Sequence, residues 1–168
     1  MRRTLWLALA LLALACSAAD APSVAAGARE VAFVSLGGEA FTLDVALDPE
    51  TRFRGLSGRG EIPRNGGMLF VLPRPGPFAM VMRDCPAPID VAFLDAQGRV
   101  VAVHEMAVEP PRAPGETPFA YESRLPQYPS DAPVSFAIET AGGRLRELGI
   151  AAGAQVRLDA PALIARAR

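Results

Sequence analysis

The chain has 168 residues, 51% of them hydrophobic, and its 17 basic and 18 acidic residues give a formal charge of −1 at pH 7. This length suits one domain with one core. The sequence lacks the clustered positive charge that nucleic-acid binding requires, so no nucleic-acid partner is expected.

The N-terminus has the pattern of an export signal. Arg2 and Arg3 precede an apolar run over residues 5–15, which small residues around Cys16 follow. A membrane-spanning helix needs about 20 apolar residues. The run therefore predicts a signal peptide over residues 1–15 rather than a permanent transmembrane helix.

Cys16 is the candidate lipid-attachment residue. The sequence "ALAC", which ends at Cys16, resembles a bacterial lipoprotein signal with this cysteine as the first residue of the mature chain. Cleavage after Ala13-Leu14-Ala15 without lipidation is the alternative. We expect an exported protein of the bacterial cell envelope or periplasm, held at a membrane if Cys16 carries a lipid.

A short tether is predicted to precede the domain. Residues 16–29 are small and patternless, which is typical of a flexible linker. The β domain is expected over residues 30–160, with a tail over residues 161–168. Two β-rich runs around Gly37-Gly38 predict a hairpin at the start of the domain.

A short helix is predicted next. Asp48 supplies a capping oxygen, Pro49 presets the first helical φ, and Glu50 places a negative charge at the positive end of the helix dipole. Phe53 and Leu56 are expected to share one face of this helix.

The rest of the pattern predicts mostly strands. Apolar runs bounded by Pro or Gly read as strands at "GGMLFVL", "FAMVM", "IDVAFLD", "RVVAVHEM", "VSFAIE" and "AQVRLD". Helices are predicted at residues 117–125 and at "GGRLREL". Residues 107–133 are proline-rich and predict a functional or covering loop. The expected fold is mainly β: a small single-domain β-sandwich or barrel with two or three short helices.

Several sequence elements occur in the order of a known family. They are Arg54-Gly55-Leu56, Gly67-Met68-Leu69-Phe70, Met82, Pro88-Ile89-Asp90 and Phe93-Leu94-Asp95. Over about residues 30–159 the chain resembles the domain of unknown function 192 family. The resemblance implies a mostly β fold and no established activity. The chain departs from the family at Val81, where the family often has Trp, and at Cys85, where it usually has Thr. Because the family tolerates Thr at the second position, the resemblance gives poor support to an essential thiol.

The hairpin around Gly98 yields a candidate patch. A three-residue loop between Asp95 and Arg99, with Gly98 in the left-handed conformation, fits the turn chemistry. Counting inward from this loop places Asp90 opposite His104. A carboxylate beside an imidazole would fix its tautomer and favour its charged form.

Three interpretations of this patch follow. In the structural interpretation, Asp90 accepts hydrogen bonds from backbone N–H groups of the "CPAP" loop, and His104 completes the hydrogen bonding of this carboxylate. In the catalytic one, Cys85 is a nucleophile, His104 its base and Asp90 the orienting group. In the metal one, soft ligands suit Cu(I), and the candidates are Met80, Met82, Cys85, His104 and Met106.

The arginines around the first helix give a further candidate. Arg52, Arg54 and Arg59 would line an anion site, or else cap carbonyl groups or lie in solvent.

The sequence favours a non-catalytic envelope domain that binds a small ligand or an envelope protein. Its candidate binding residues are Asp90, His104, Met82 and Arg54, and no cofactor is expected. The alternatives are a cysteine-dependent hydrolase or transferase and a periplasmic copper-binding protein.

Overall fold

The computed structural model describes residues 29–168. The predicted signal peptide, Cys16 and nearly all of the predicted tether lie outside the described residues. The strands of the described range are β1 (Val31–Leu36), β2 (Glu39–Ala46), β3 (Gly66–Gly76), β4 (Ala79–Met80), β5 (Ile89–Leu94), β6 (Val100–Met106), β7 (Tyr128–Pro129) and β8 (Val134–Ala141). Its helices are α1 (Pro49–Arg54), α2 (Pro118–Arg124), α3 (Arg144–Glu147) and α4 (Ala160–Arg166). None of these helices has the length and apolar character needed to cross a membrane.

Six strands form one mixed sheet in the order β1-β2-β3-β8-β5-β6, and β4 pairs with β7 in a separate two-stranded sheet. Strands β2 and β3 run parallel, whereas the other neighbours in the large sheet are antiparallel. The predicted mainly β, single-domain fold is confirmed. The large sheet does not close, so the barrel alternative does not hold, and the described range has four helices where two or three were predicted.

Each face of the large sheet carries its own apolar cluster. Along the central strand β8, Phe136 and Ile138 belong to the first cluster, which α3 and α4 cover. Ala137 belongs to the second cluster, which the chain after α1 and the region around β4 cover. The two-residue alternation of a strand therefore places Glu139 on the second face, in the middle of the sheet.

Helix α1 forms as its sequence predicts. Oδ1 of Asp48 accepts a hydrogen bond from the backbone N–H of Thr51 at 2.9 Å, which satisfies one of the unpaired donors at the helix start. The helix ends at Arg54. Gly55, with φ of 50°, turns the chain there. Leu56 is therefore buried while Phe53 stays 66% exposed, and the predicted shared face is wrong.

The β5–β6 register differs from the prediction by one residue. The turn itself is as predicted, because Gly98 has φ of 78° and the N–H of Asp95 donates to the carbonyl of Arg99 at 2.9 Å. An irregularity follows it: Leu94 pairs with Val100, but Phe93 already pairs with Ala102. Such a bulge leaves one residue unpaired and shifts the ladder beyond it.

The predicted pairing of Asp90 with His104 is therefore wrong. Asp90 lies opposite Glu105, and His104 lies opposite Val91. The backbone of Val100 provides a physical reason for the shift in register. Its N–H donates to the carbonyl of Ala154, and its carbonyl accepts from the N–H of Gly153, so both groups bond outward from the hairpin. A register counted from the turn considers β5 and β6 alone, so it cannot include the effect of the segment at residues 153 and 154.

Two predicted strands are also shorter than expected. At "FAMVM" only Ala79–Met80 is a strand, and it pairs with β7 rather than with the large sheet. At "AQVRLD" a single bridge joins Gln155 to Arg99. The predicted tail contains most of α4, which packs Leu163 against the first cluster.

Residues 107–133 act as a strap on the region around β4. The helix predicted at residues 117–125 is present as α2, capped by Thr117. The hydroxyl of Tyr121 accepts a hydrogen bond from the N–H of Asp84 at 2.9 Å. The N–H of Ser130 donates to the carbonyl of Phe78 at 2.8 Å. The strap thus holds the chain between β4 and β5 against the second face of the sheet.

Candidate functional site

Asp90 anchors the turn between β8 and α3. The side chain is fully buried, and its two oxygens accept hydrogen bonds from the N–H groups of Gly143 at 2.8 Å and Leu145 at 2.9 Å. This geometry matches the structural interpretation of Asp90, but the donors follow β8 and do not come from the "CPAP" loop.

His104 lies on the opposite face of the hairpin from Asp90. Its Nε2 is 2.7 Å from the carbonyl oxygen of Pro129 in β7. Its ring packs edge-on against Phe93 and Tyr128, with centroid distances of 6.0 and 5.8 Å. His104 therefore ties β6 to β7, and Asp90 cannot orient it.

Cys85 is a buried thiol in the second cluster. It is 8% exposed, and its Sγ lies 3.3 Å from the carbonyl oxygen of Arg83. Burial, reinforced by the nearby Glu139, raises the pKa of Cys85 to about 11. The thiol is therefore protonated at neutral pH, the state in which a cysteine is a poor nucleophile.

The candidate copper ligands share one region of the core. Met80, Met82, Cys85 and Met106 are all buried in the second cluster. Among residues 29–168, no group of three or more His, Cys, Asp or Glu side chains is placed to hold a metal ion. Thioethers among apolar neighbours commonly fill space, and copper binding stays a prediction.

The three candidate arginines already have partners. Arg52 donates to the carbonyl of Val71 at 3.0 Å, Arg54 contacts Glu50 at 2.7 Å, and Arg59 contacts Asp44 at 2.6 Å. Arg52 therefore caps a carbonyl, as the alternative to an anion site has it, whereas Arg54 and Arg59 form ion pairs that the sequence did not predict.

A cavity of about 320 Å³ lies beside the end of α1, against the second face of the sheet. Its apolar walls include Leu56, Phe70, Phe78 and Met80. Its polar lining includes Arg52, Arg54, Ser57, Arg83, Cys85 and Glu139. Of the sequence-predicted residues, Arg52, Arg54, Met80 and Cys85 line this cavity, whereas Asp90, His104, Met82 and Met106 are not among its lining residues.

Glu139 is the most unusual group in the cavity wall. It is 5% exposed, and its Oε2 is fully buried without a hydrogen-bond partner among residues 29–168. Its strand position, between Met68 of β3 and Val91 of β5, keeps the carboxyl away from bulk water. A buried polar atom of this kind calls for an explanation, because such atoms are normally hydrogen-bonded.

Two glycines leave the space in which Glu139 sits. A Cβ on Gly67, which has φ of 148°, would lie 1.9 Å from the carbonyl oxygen of Glu139. A Cβ on Gly55 would lie 3.7 Å from Oε2 of Glu139 and 3.4 Å from the ring of Phe70. Gly67 therefore permits the close approach of β3 to β8, and Gly55 leaves room beside the carboxyl oxygen.

Burial raises the pKa of Glu139 to about 8, while the positive charge of Arg59 opposes the shift only in part. Arg59 is itself paired with Asp44. Glu139 is therefore mostly a neutral carboxylic acid at pH 7, because transfer of its charged form into an apolar site is costly.

Sequence reasoning missed Glu139. The available signal was a single carboxyl inside "VSFAIET", a run otherwise typical of a buried strand. What the sequence could not supply was the position of this strand between β3 and β5, because that depends on long-range pairing. The aspartate and histidine of the neighbouring hairpin were the more conspicuous polar residues.

We predict that the free energy of unfolding depends on pH through Glu139. Between its ordinary pKa of 4.5 and its folded value of about 8, the unfolded chain ionises while the folded protein keeps the proton. Stability should therefore fall as pH rises through this window, by roughly 5 kcal/mol in total. Urea unfolding at a series of pH values should show this slope in the wild type and a flatter profile in Glu139→Gln.

The matched control is Glu105→Gln, which removes an exposed carboxylate paired with Arg146. It should keep the wild-type slope. The lowered pKa values of Asp48, Glu116 and Glu122 affect stability on the acid side of this window. Equal slopes in the wild type and Glu139→Gln would mean that Glu139 is ionised in the folded protein.

Solved structures with a similar fold include two bacterial proteins. One is a protein from Sinorhizobium meliloti 1021 that is described as a candidate transcription regulator. It is 26% identical in sequence and has a TM-score of 0.60, and the match covers 76% of this chain and 90% of that chain. A protein of unknown function from Novosphingobium aromaticivorans DSM 12444 is 23% identical with a TM-score of 0.64, and the match covers 83% and 94%. The second likeness shows the fold alone.

No curated protein has significant similarity to the chain. The family model DUF192, described as "Uncharacterized ACR", matches residues 32–158. This range includes the cavity, Glu139 and both glycines beside it. Because the match spans most of its length, the chain belongs to the DUF192 family.

Proposed function

We propose that this domain is a non-catalytic binding module of the cell envelope and that a small ligand occupies the cavity beside Glu139. The observation that carries the proposal is that Glu139 lines a cavity while its buried Oε2 has no donor within the described range. A buried polar atom without a partner costs roughly 1–3 kcal/mol. A ligand with a suitable donor would recover that cost when it binds.

The shape and lining of the cavity support a small ligand. Its volume of about 320 Å³ lies at the lower end of the roughly 300–1,000 Å³ typical of small-molecule sites. Mostly apolar walls with a few polar groups are also typical of such sites. Phe70, Phe78 and Met80 provide the apolar surface, and Glu139 provides a group that can fix the orientation of the ligand.

Catalysis by a cysteine has less support than binding. Burial raises the pKa of Cys85, so little thiolate forms at neutral pH. The orienting carboxylate of the hypothetical triad, Asp90, lies on the other face of the sheet and is occupied by two backbone donors. Transcriptional regulation, suggested by the description of the Sinorhizobium protein, has no support from the near-neutral charge of this chain.

The envelope location rests on the N-terminal sequence. The arginines, the apolar run over residues 5–15 and the "ALAC" sequence support export and attachment of a lipid to Cys16. A tethered binding domain could then meet its ligand outside the cytoplasm while remaining at the membrane surface.

We predict that filling the cavity removes a bound small molecule. Ala79 is exposed and lines the cavity, so Ala79→Trp should block the space without disturbing the core. Native mass spectrometry of the full-length protein, purified from its own envelope, should detect a small-molecule adduct in the wild type and not in Ala79→Trp. The control Ala40→Trp changes an exposed residue of β2 away from the cavity and should keep the adduct. A wild type without an adduct, or equal adducts in all three proteins, would contradict the proposal.

We also predict that the mature chain starts at Cys16 and carries a lipid. Intact-mass analysis of the membrane fraction should find a diacylglyceryl group on the N-terminal cysteine, and Cys16→Ser should release the protein from that fraction. A soluble mature chain that starts at another residue would exclude the anchor and leave the binding site untouched.

A further inference from the structure

We propose that the ligand of this cavity is a small organic cation, with an ammonium group that binds the Glu139 carboxylate and an apolar body that packs against Phe70 and Phe78. This inference rests on the proposed function and names the chemical class of the ligand.

The unpartnered carboxyl oxygen of Glu139 suits a ligand that carries a hydrogen-bond donor. Oε2 of Glu139 is a buried carboxyl oxygen without a donor among residues 29–168. An ammonium group has three N–H donors and a charge opposite to that of a carboxylate. An anionic ligand would instead repel the ionised form of this carboxyl, where little water could screen the charges, and would bind beside its neutral form alone.

The walls of the cavity also suit a cation. The rings of Phe70 and Phe78 both line it, with their centroids 6.4 Å apart and their planes inclined by 51°. Aromatic faces attract cations through the quadrupole of the ring, most strongly where water is excluded. Phe53 shows the same preference at the cavity edge, because the guanidinium carbon of Arg83 lies 3.9 Å from its ring centroid.

The arginines that line the cavity are already engaged by groups of the protein. Arg83 donates to Oε2 of Glu122 at 2.8 Å and to the carbonyl of Phe53 at 2.9 Å. Arg52 bonds two backbone carbonyls, and Arg54 bonds the carboxylate of Glu50. An anion would share each arginine with the partner that it already has, whereas a cation at Glu139 leaves these bonds unchanged.

Binding of a cation would be coupled to release of a proton. Burial raises the pKa of Glu139, so the free site holds a neutral acid at pH 7. When the ammonium enters, the carboxyl proton passes to the buffer and a carboxylate–ammonium pair remains. The other charged or titratable groups around the carboxyl are Arg59 with its partner Asp44, Cys85, and the cavity-lining Arg52, Arg54 and Arg83.

Isothermal titration calorimetry with matched probes tests this assignment. The probes are benzylammonium, benzyl alcohol and benzoate, which share one ring and differ in the charge of the head group, together with propylammonium as a smaller cation. The full-length wild type at about pH 6.5 should bind an ammonium probe at least about tenfold more tightly than the alcohol or benzoate. Titrations in two buffers with different ionisation enthalpies should show close to one proton released per cation bound.

Two variants locate the effect. Glu139→Gln should lose the preference for the cation and the proton release, while Glu105→Gln should keep both. The proton release of the wild type tests the assignment even if Glu139→Gln folds poorly. Tighter binding of the alcohol or benzoate, or cation binding without proton release, would overturn the cation assignment and leave a ligand-binding cavity in place. No binding of either ammonium probe would also overturn it. The proposed function itself fails separately, if the adduct of the envelope-purified protein does not depend on Ala79.

Discussion

The burial of one carboxyl group in the middle of the sheet is the constraint on which the second face of this protein depends. Glu139 lies on β8, with β3 on one side and β5 on the other, so its side chain cannot reach bulk water along the sheet. A lone charge in such a place would be very costly, and the protein therefore holds it mainly as a neutral acid. Gly67 and Gly55 leave the room that this arrangement needs.

The two buried carboxyl groups of β5 and β8, Asp90 and Glu139, have opposite consequences. Asp90 receives two backbone N–H donors and stabilises the entry into α3, so its burial is compensated within the protein. Glu139 faces the other side of the sheet, and its Oε2 has no such compensation from the part of the chain that the structure covers. A fully satisfied buried carboxylate is typical of a structural role, whereas an unpartnered carboxyl in a cavity wall with a strongly shifted pKa is a functional-site candidate.

Local chemistry made much of the fold predictable. The cap at Asp48, the cap at Thr117 and the left-handed Gly98 follow from residues close together in sequence, and each is present. The Asp90–His104 pair failed because a bulge beyond the turn shifts the ladder by one residue, and the chain segment associated with it is more than fifty residues away. Glu139 was missed for a related reason. Its burial comes from the strands β3 and β5 that flank β8, and the sequence cannot supply these pairings because they join distant parts of the chain.

The protonation state of Glu139 decides most directly whether the second face of the sheet holds a neutral acid. Nuclear magnetic resonance of the protein labelled with ¹³C at the glutamate carboxyl carbons, with Glu139→Gln to assign the signal, would give its titration curve. We predict a midpoint near the value of about 8 that burial gives the pKa of this group. A midpoint near its ordinary pKa of 4.5 would show that the carboxylate is charged and stabilised within the folded protein, and would remove the basis for a ligand site at this position.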